Sequence, residues 1–174
     1  EESELIVGLG DWVLAQACAV LATPAFSQRR LRMSVNLSAR QFRQASFVPN
    51  LRALLATTGA DPTLLTLEVT EGLVIEDFDD AVAKMRELVA MGLEFALDDF
   101  GTGYSSLAYH KRLPIQELKI DRSFVSEAPT NADDGALVEA ILSVASHFGL
   151  RVVAEGVETR EQVRFLEQHQ SDMV

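Results

Sequence analysis

Short apolar runs alternate with longer stretches that keep helical spacing along the whole chain. Residues 4–22 predict a helix with Leu14, Cys18 and Leu21 on one face and Trp12 near its start, ended by Thr23-Pro24. Arg32–Asn36 predicts a strand with Asn36 at its end, then a polar bend, LSARQF (37–42), and a helix around 47–58 stopped by Gly59. Asp61-Pro62 turns the chain into a second strand, 64–69, with Glu68 near its end. Asp77 is placed to cap a helix over 78–91, where Phe78, Val82, Met85 and Val89 keep helical spacing and Gly92 marks the stop. Phe95-Ala96-Leu97 reads as a buried strand, because it is short, apolar and closed by acids and glycine. Ser105–Arg112 predicts one short helix halted by Pro114, and Leu118-Lys119-Ile120 a short strand. Leu137, Ile141, Val144 and Phe148 stripe a helix followed by Gly149. Leu150–Ala154 predicts a fifth strand leading into Glu155-Gly156, residues 159–168 a last helix, and Asp172–Val174 the opening of another strand.

Strands alternating with helices imply parallel βα units. The strands end at Asn36, Glu68, Asp98, Lys119 and Glu155, separated by 32, 30, 21 and 36 residues, which suits successive units of this kind. In a (β/α) barrel the C-terminal strand ends face one another around one rim, where active sites lie. The expectation is therefore that these five residues, remote in sequence, converge.

At 174 residues the chain is expected to form one domain with a sizeable core. Its 48% hydrophobic and 24% charged residues are ordinary for a globular protein. A net charge of −11 repels a nucleic-acid backbone, so a polynucleotide is not an expected partner. A phosphate-bearing ligand would then need metal ions or local Lys and Arg. The single cysteine, Cys18, excludes an internal disulfide and reads as a buried structural thiol. No run approaches the ~18 apolar residues of a membrane span and no signal peptide opens the chain. The expected setting is the cytoplasm, or the cytoplasmic part of a membrane-anchored protein, without membrane insertion by this domain.

The densest chemistry lies in EFALDDFGTG (94–103), where an apolar run delivers Asp98 and Asp99 to a turn containing Gly101 and Gly103. Side chains alternate along a strand, so two adjacent acids cannot both face inward unless the strand is ending there. Two acids where a strand meets a glycine loop are suited to holding a divalent cation near a phosphate. Asn36, Glu68, Asp98, Asp99 and Glu155 offer only oxygen donors, which favour Mg²⁺ or Mn²⁺ over zinc. Two such ions about 3.5–4 Å apart would clamp a phosphodiester and activate water, with Lys119 as a compact positive charge beside them. Each residue has a dull alternative: Asn36 as a cap, Glu68 as an exposed strand residue, Lys119 as a surface charge, Asp-Gly as a solvated turn. Their joint placement at strand ends favours chemistry. His110, His147 and His169 lie in separate helical segments without metal-ligand spacing and read as structural or solvent-facing. GTG is not a phosphate-binding loop of the Gly-Lys-Ser/Thr type.

VNLSARQF (35–42), LEVTE (67–71), ALDDFGTGYSSL (96–107), LKIDRSF (118–124) and VVAEGVET (152–159), with the leading LIVGLGDWVL, strongly resemble the EAL-domain phosphodiesterases of bacteria. The resemblance runs along the whole chain, in register. It implies a modified (β/α)₈ barrel of the TIM type that hydrolyses cyclic di-GMP to linear pGpG with two Mg²⁺ or Mn²⁺ ions. It also implies Asn36, Glu68 and Asp98 as ligands of the first metal, Asp98 as the bridge to the second, and Asp99 and Glu155 beside it. Lys119 resembles the residue holding the catalytic water, with Asp121 as a nearby support. Glu71 resembles the acid that steadies the loop 99–108, whose Phe100, Gly101, Thr102 and Gly103 are expected next to substrate. A homodimer and fusion to sensory or cyclase domains are implied in the same way.

The sequence departs from the family pattern at its ends. It begins beyond the strand bearing the Glu-Ala/Val-Leu motif and stops before the closing strand with its Gln-Gly segment, so the barrel is expected to be incomplete and residues 1–174 alone inactive. His110 stands where leucine is expected. Two other readings stay open, a non-catalytic cyclic di-GMP receptor and a dimerisation scaffold. The presence of the LEVTE and DDFGTG acids favours the enzyme.

Overall fold

The computed structural model describes residues 5–75, 77–101 and 111–169. The helix predicted over 105–112 and the strand predicted at 172–174 fall largely or wholly outside the described residues. By its packing the chain divides into two units, Glu1–Phe95 and Ala96–Val174.

In the first unit, helix α1 (Leu5–Leu21) and the one-turn α2 (Pro24–Ser27) precede strand β1 (Met33–Asn36). Helices α3 (Ala39–Phe42) and α4 (Phe47–Thr58) follow, then β2 (Leu65–Thr70), α5 (Glu71–Ile75) and α6 (Phe78–Ala90). β1 and β2 are parallel, in the register Met33↔Leu65 to Asn36↔Glu68. Their apolar face carries Val35 and Leu67, which join Leu14, Cys18, Leu21, Phe42, Leu51 and Met85 in the core. Phe42 packs edge-on against Phe47 and Phe95, with ring centres 5.5 and 6.4 Å apart. The α4 stop is as expected: Gly59 adopts φ +69 and its N–H donates to Leu55 O.

Strand β3 (Glu94–Phe100) runs across the boundary between the units. The second unit continues with β4 (Glu117–Ile120), α7 (Arg122–Glu127), α8 (Ala132–Phe148), β5 (Arg151–Ala154) and α9 (Arg160–Gln168). β3 pairs with β4, and β4 with β5, both parallel. The parallel βα organisation read from the sequence thus holds within each unit.

Several local expectations needed correction. The polar bend 37–42 contains α3, because Ser38 Oγ accepts the Gln41 N–H at 3.2 Å and so caps a helical turn. Helices α5 and α7, five and six residues long, are too short to show a helical period and have no counterpart in the sequence expectation. Asp77 stands at the start of α6, but its side chain makes no capping bond. The buried face of α8 is Gly135, Val138, Ile141, Leu142 and Ala145, while Leu137, Val144 and Phe148 are half-buried at its margin. Trp12 is exposed, as are Leu5 and Leu9 on the same helix. Cys18 is fully buried, as expected, and burial pushes its thiol pKa up.

Candidate active site

In the first unit, Asn36 and Glu68 are register partners at the C-terminal end of the β1–β2 pair. The ladder runs one step further, with Leu37 N–H donating to Glu68 O at 2.9 Å. The two side chains therefore leave the sheet side by side, on the face opposite Val35 and Leu67. Glu68 is buried and Asn36 exposed. A cavity of about 590 Å³ opens beside them, its wall including Leu9, Val13, Met33 and Gln41. Gln41 is itself buried and donates to Asp11 Oδ1 at 2.8 Å. Glu71, the expected loop support, is buried at the first position of α5.

In the second unit the two adjacent acids solve their geometric problem by a β-bulge. Leu97 pairs with Leu118 and Phe100 with Ile120, so Asp98 and Asp99 together oppose the single residue Lys119. Asp99 takes up the extra length with φ +54, a left-handed conformation that a non-glycine residue adopts at some cost. The bulge sets both acids opposite Lys119: Asp98 contacts it, and the exposed Asp99 lies near enough to feel its charge. Lys119 is buried and its Nζ lies 3.1 Å from Asp98 Oδ1 and 2.5 Å from Glu155 Oε1. Desolvation, followed by repulsion from Asp98, Asp121 and Glu155, holds the Asp99 carboxyl above the usual carboxylate range against the pull of Lys119.

The neighbouring backbone fixes Glu155. Its N–H donates to Ile120 O at 3.1 Å, extending the β4–β5 ladder past the strand ends. Gly156 then turns with φ +66, and a Cβ there would meet Arg122 Cβ at 2.6 Å, so only glycine fits. Asp121 caps α7: its carboxylate accepts the Ser123 N–H at 2.9 Å and the Ser123 hydroxyl, which lower its pKa. Phe100 is buried in β3, and Gly101 (φ +96) lies so close to Phe124 that a Cβ would be 3.2 Å from its ring. Thr102, Gly103 and His110 lie outside the described residues.

Asn36 and Glu68 thus meet in the first unit, and Asp98, Asp99, Lys119 and Glu155 in the second. Among the described residues no three His, Cys, Asp or Glu side chains are grouped as a metal ion would need. The Lys119 ammonium instead supplies the positive charge to Asp98 and Glu155. The donor set still fits Mg²⁺ or Mn²⁺, being all oxygen, and the carboxylate repulsion that adds to desolvation in raising Asp99 is what a divalent cation relieves. The histidines serve elsewhere. His147 is exposed against Phe148, and His169 packs on Phe165 with its ring nitrogens at Phe165 O and Glu139. Sequence reasoning missed the Gly156–Arg122 contact and a second ion pair on the site's own face, Glu117–Arg151. Alternation in LKI, two residues back from Lys119, was the signal for Glu117.

The EAL domain family matches residues 1–174. The chain belongs to that family. It is 44% identical over 175 residues to the bifunctional diguanylate cyclase/cyclic di-GMP phosphodiesterase MucR of Pseudomonas aeruginosa, covering 95% of this chain and 24% of MucR. It is 40% identical over 175 residues to the cyclic di-GMP phosphodiesterase NbdA of the same organism, covering 100% of this chain and 22% of NbdA. The chain therefore spans under a quarter of the length of these relatives. A solved MucR phosphodiesterase in complex with cyclic di-GMP superposes with a TM-score of 0.90 at 43% identity, over 96% of this chain and 68% of that one. A manganese/cyclic di-GMP complex of Klebsiella pneumoniae BlrP1 superposes at 0.86 with 27% identity, over 98% of this chain and 43% of that one. The fold is the α/β, TIM-barrel-like fold of EAL domains.

Proposed function

We propose that this domain hydrolyses one phosphodiester of cyclic di-GMP to linear pGpG, with two Mg²⁺ or Mn²⁺ ions. The observation that carries the reading is the bulge that sets Asp98 and Asp99 opposite a buried lysine paired with Asp98 and Glu155. Support comes from relatives named as cyclic di-GMP phosphodiesterases and from neighbours solved with cyclic di-GMP and with manganese.

In this reading Asn36, Glu68 and Asp98 would hold the first ion, and Asp98, with Asp99 and Glu155 beside it, would serve the second. The ions, when bound, neutralise phosphodiester charge and acidify water. Lys119 orients the attacking water through its ammonium and offsets charge growing on the phosphoryl oxygens. Asp99 accepts the proton of that water at a carboxylate oxygen. Glu155 holds Lys119 in place, and Asp121 and Glu71 support the strand ends. Phe100, Gly101, Thr102 and Gly103 border the substrate.

Fusion to sensory or cyclase domains belongs to the proposal and is supported by the share of MucR this chain covers. Homodimerisation and a cytoplasmic setting belong to it as well. Among the described residues no helix is long and apolar enough to cross a membrane. The test is hydrolysis of cyclic di-GMP by the full-length protein with Mn²⁺ and after chelation. Metal-dependent release of pGpG supports the reading. Binding of cyclic di-GMP without turnover replaces it with a receptor.

A further inference from the structure

Glu117 and Lys119 stand two residues apart in β4, so both side chains leave the same face of the strand, and both are buried. Their register partners in β5 are Arg151 and Val153, and Glu155 comes next on that face. The face therefore carries charge in two layers. In the layer towards the strand N-termini, Arg151 Nη2 lies 3.4 Å from Glu117 Oε2. In the layer at the C-terminal end, Lys119 lies against Asp98 and Glu155. Signs alternate along β4 and across to β5.

This arrangement gives Lys119 a competing partner. Glu117 sits about 7 Å away along the same strand face, within reach of a flexible four-carbon side chain that bends back. Charge attraction is strong where water is largely excluded. A Glu117 carboxylate without its arginine would draw the ammonium towards the N-terminal layer, away from Asp98 and Glu155. Arg151 is suited to prevent this, because its side chain comes from the residue directly opposite Glu117.

We propose that Arg151 is a positioning residue: by engaging the Glu117 carboxylate it removes a competing partner and keeps the Lys119 ammonium at Asp98 and Glu155. The proposal rests on the functional reading above for its consequence in catalysis, but not for the side-chain position it asserts.

The experiment compares the wild-type full-length protein with Arg151→Met, Arg151→Gln, Glu117→Gln and the double variant Glu117→Gln/Arg151→Met. The readouts are crystal structures, cyclic di-GMP kinetics and titration with Mn²⁺ alone. In Arg151→Met the Lys119 Nζ moves to Glu117, and kcat falls about tenfold with KM little changed. Mn²⁺ affinity rises several-fold, because Asp98 and Glu155 have lost their ammonium. A merely structural defect would weaken Mn²⁺ binding, so the sign separates the two. Glu117→Gln alone leaves all three readouts near wild type, and the double variant recovers kcat and Mn²⁺ affinity. Arg151→Gln keeps a donor to Glu117 without charge and changes both in the same direction by less, which covers the case in which Arg151→Met does not fold. Unchanged kcat and Mn²⁺ affinity in the Arg151 variants, weaker Mn²⁺ binding, or a loss that Glu117→Gln does not restore would overturn the proposal. If the wild type does not turn over cyclic di-GMP, the functional reading falls, while the Nζ position in the structures still decides this one.

Discussion

Asp99 adopts φ +54 directly beside Asp98, whose Oδ1 accepts the Asp99 N–H at 3.1 Å and lies equally far from Lys119 Nζ. The bulge thus joins backbone strain to carboxylate crowding at one residue. Asp99→Asn keeps a residue type that tolerates the left-handed region and removes a charge disfavoured by desolvation and by Asp98, Asp121 and Glu155. The expected outcome without metal is a small gain in stability, limited by solvent screening of the exposed Asp99 and seen as a rise in Tm, with loss of turnover. A fall in Tm would show that the charge at Asp99 helps the fold.

The sign of the Asp99 contribution also sets a pH dependence. Its folded-state pKa is raised, so the charged form costs stability above that pKa and the cost is relieved as pH falls through it. Asp121 behaves oppositely. Hydrogen bonds from the Ser123 hydroxyl and N–H lower its pKa, so its stabilisation is full above the unfolded carboxylate value and lost as pH falls through the folded one. Asp121→Ala is expected to cost about 1 kcal/mol at neutral pH through loss of the α7 cap. Thermal melts should show that difference narrowing as pH drops below about 4. A difference that stays constant would count against the cap.

Much of the candidate site was legible because short, mainly apolar runs lead up to the residues expected to carry chemistry. Asn36, Glu68, Lys119 and Glu155 interrupt or follow Val-, Leu- and Ile-rich runs, and the structure sets each at or beside a strand end. The pair Asp98-Asp99 was legible as a conflict with strand alternation, but a bulge is defined by its partner strand and leaves no local mark. Helix α8 was misjudged for a different reason. Its buried face is centred on Gly135 and Ala145, small residues chosen by close approach: a Cβ at Gly135 would lie 3.1 Å from Ala128 O. Hydrophobic spacing weights Leu and Phe, and so moved the stripe to its margin.

Gly156 is where two constraints meet, a positive φ and the Arg122 Cβ. Gly156→Ala must shift the backbone that carries Glu155, so it is expected to cost about 1–3 kcal/mol and to weaken Mn²⁺ binding. Arg122→Gly relieves the contact but not the dihedral. Adding it to Gly156→Ala should return part of the lost stability and Mn²⁺ affinity, measured by melting with and without the metal. Absence of any recovery would leave the dihedral as the whole cause.

Lys119 offers the most direct measurement of how the acids are balanced. Its ammonium pairs with both Asp98 and Glu155, with side-chain exposures of 10, 15 and 35% for Lys119, Asp98 and Glu155. Breaking a buried charge pair on one side leaves the other side uncompensated and costs roughly 3–5 kcal/mol, with the lower end expected here because Glu155 is a third exposed. Lys119→Met should therefore melt earlier without metal. Once the ammonium is gone, the same carboxylates have no cation but an added one, so the Tm increment from saturating Mn²⁺ should be larger in Lys119→Met than in the wild type. Occupancy at a hundred times Kd alone supplies about 2.7 kcal/mol, enough to be seen as several degrees. Turnover should not return with the metal, because the charge that orients water is still missing. Asp98→Asn, which removes a ligand instead, should lose both the Mn²⁺ increment and turnover. Equal increments in wild type and Lys119→Met would mean that the ammonium and the metal do not share these carboxylates.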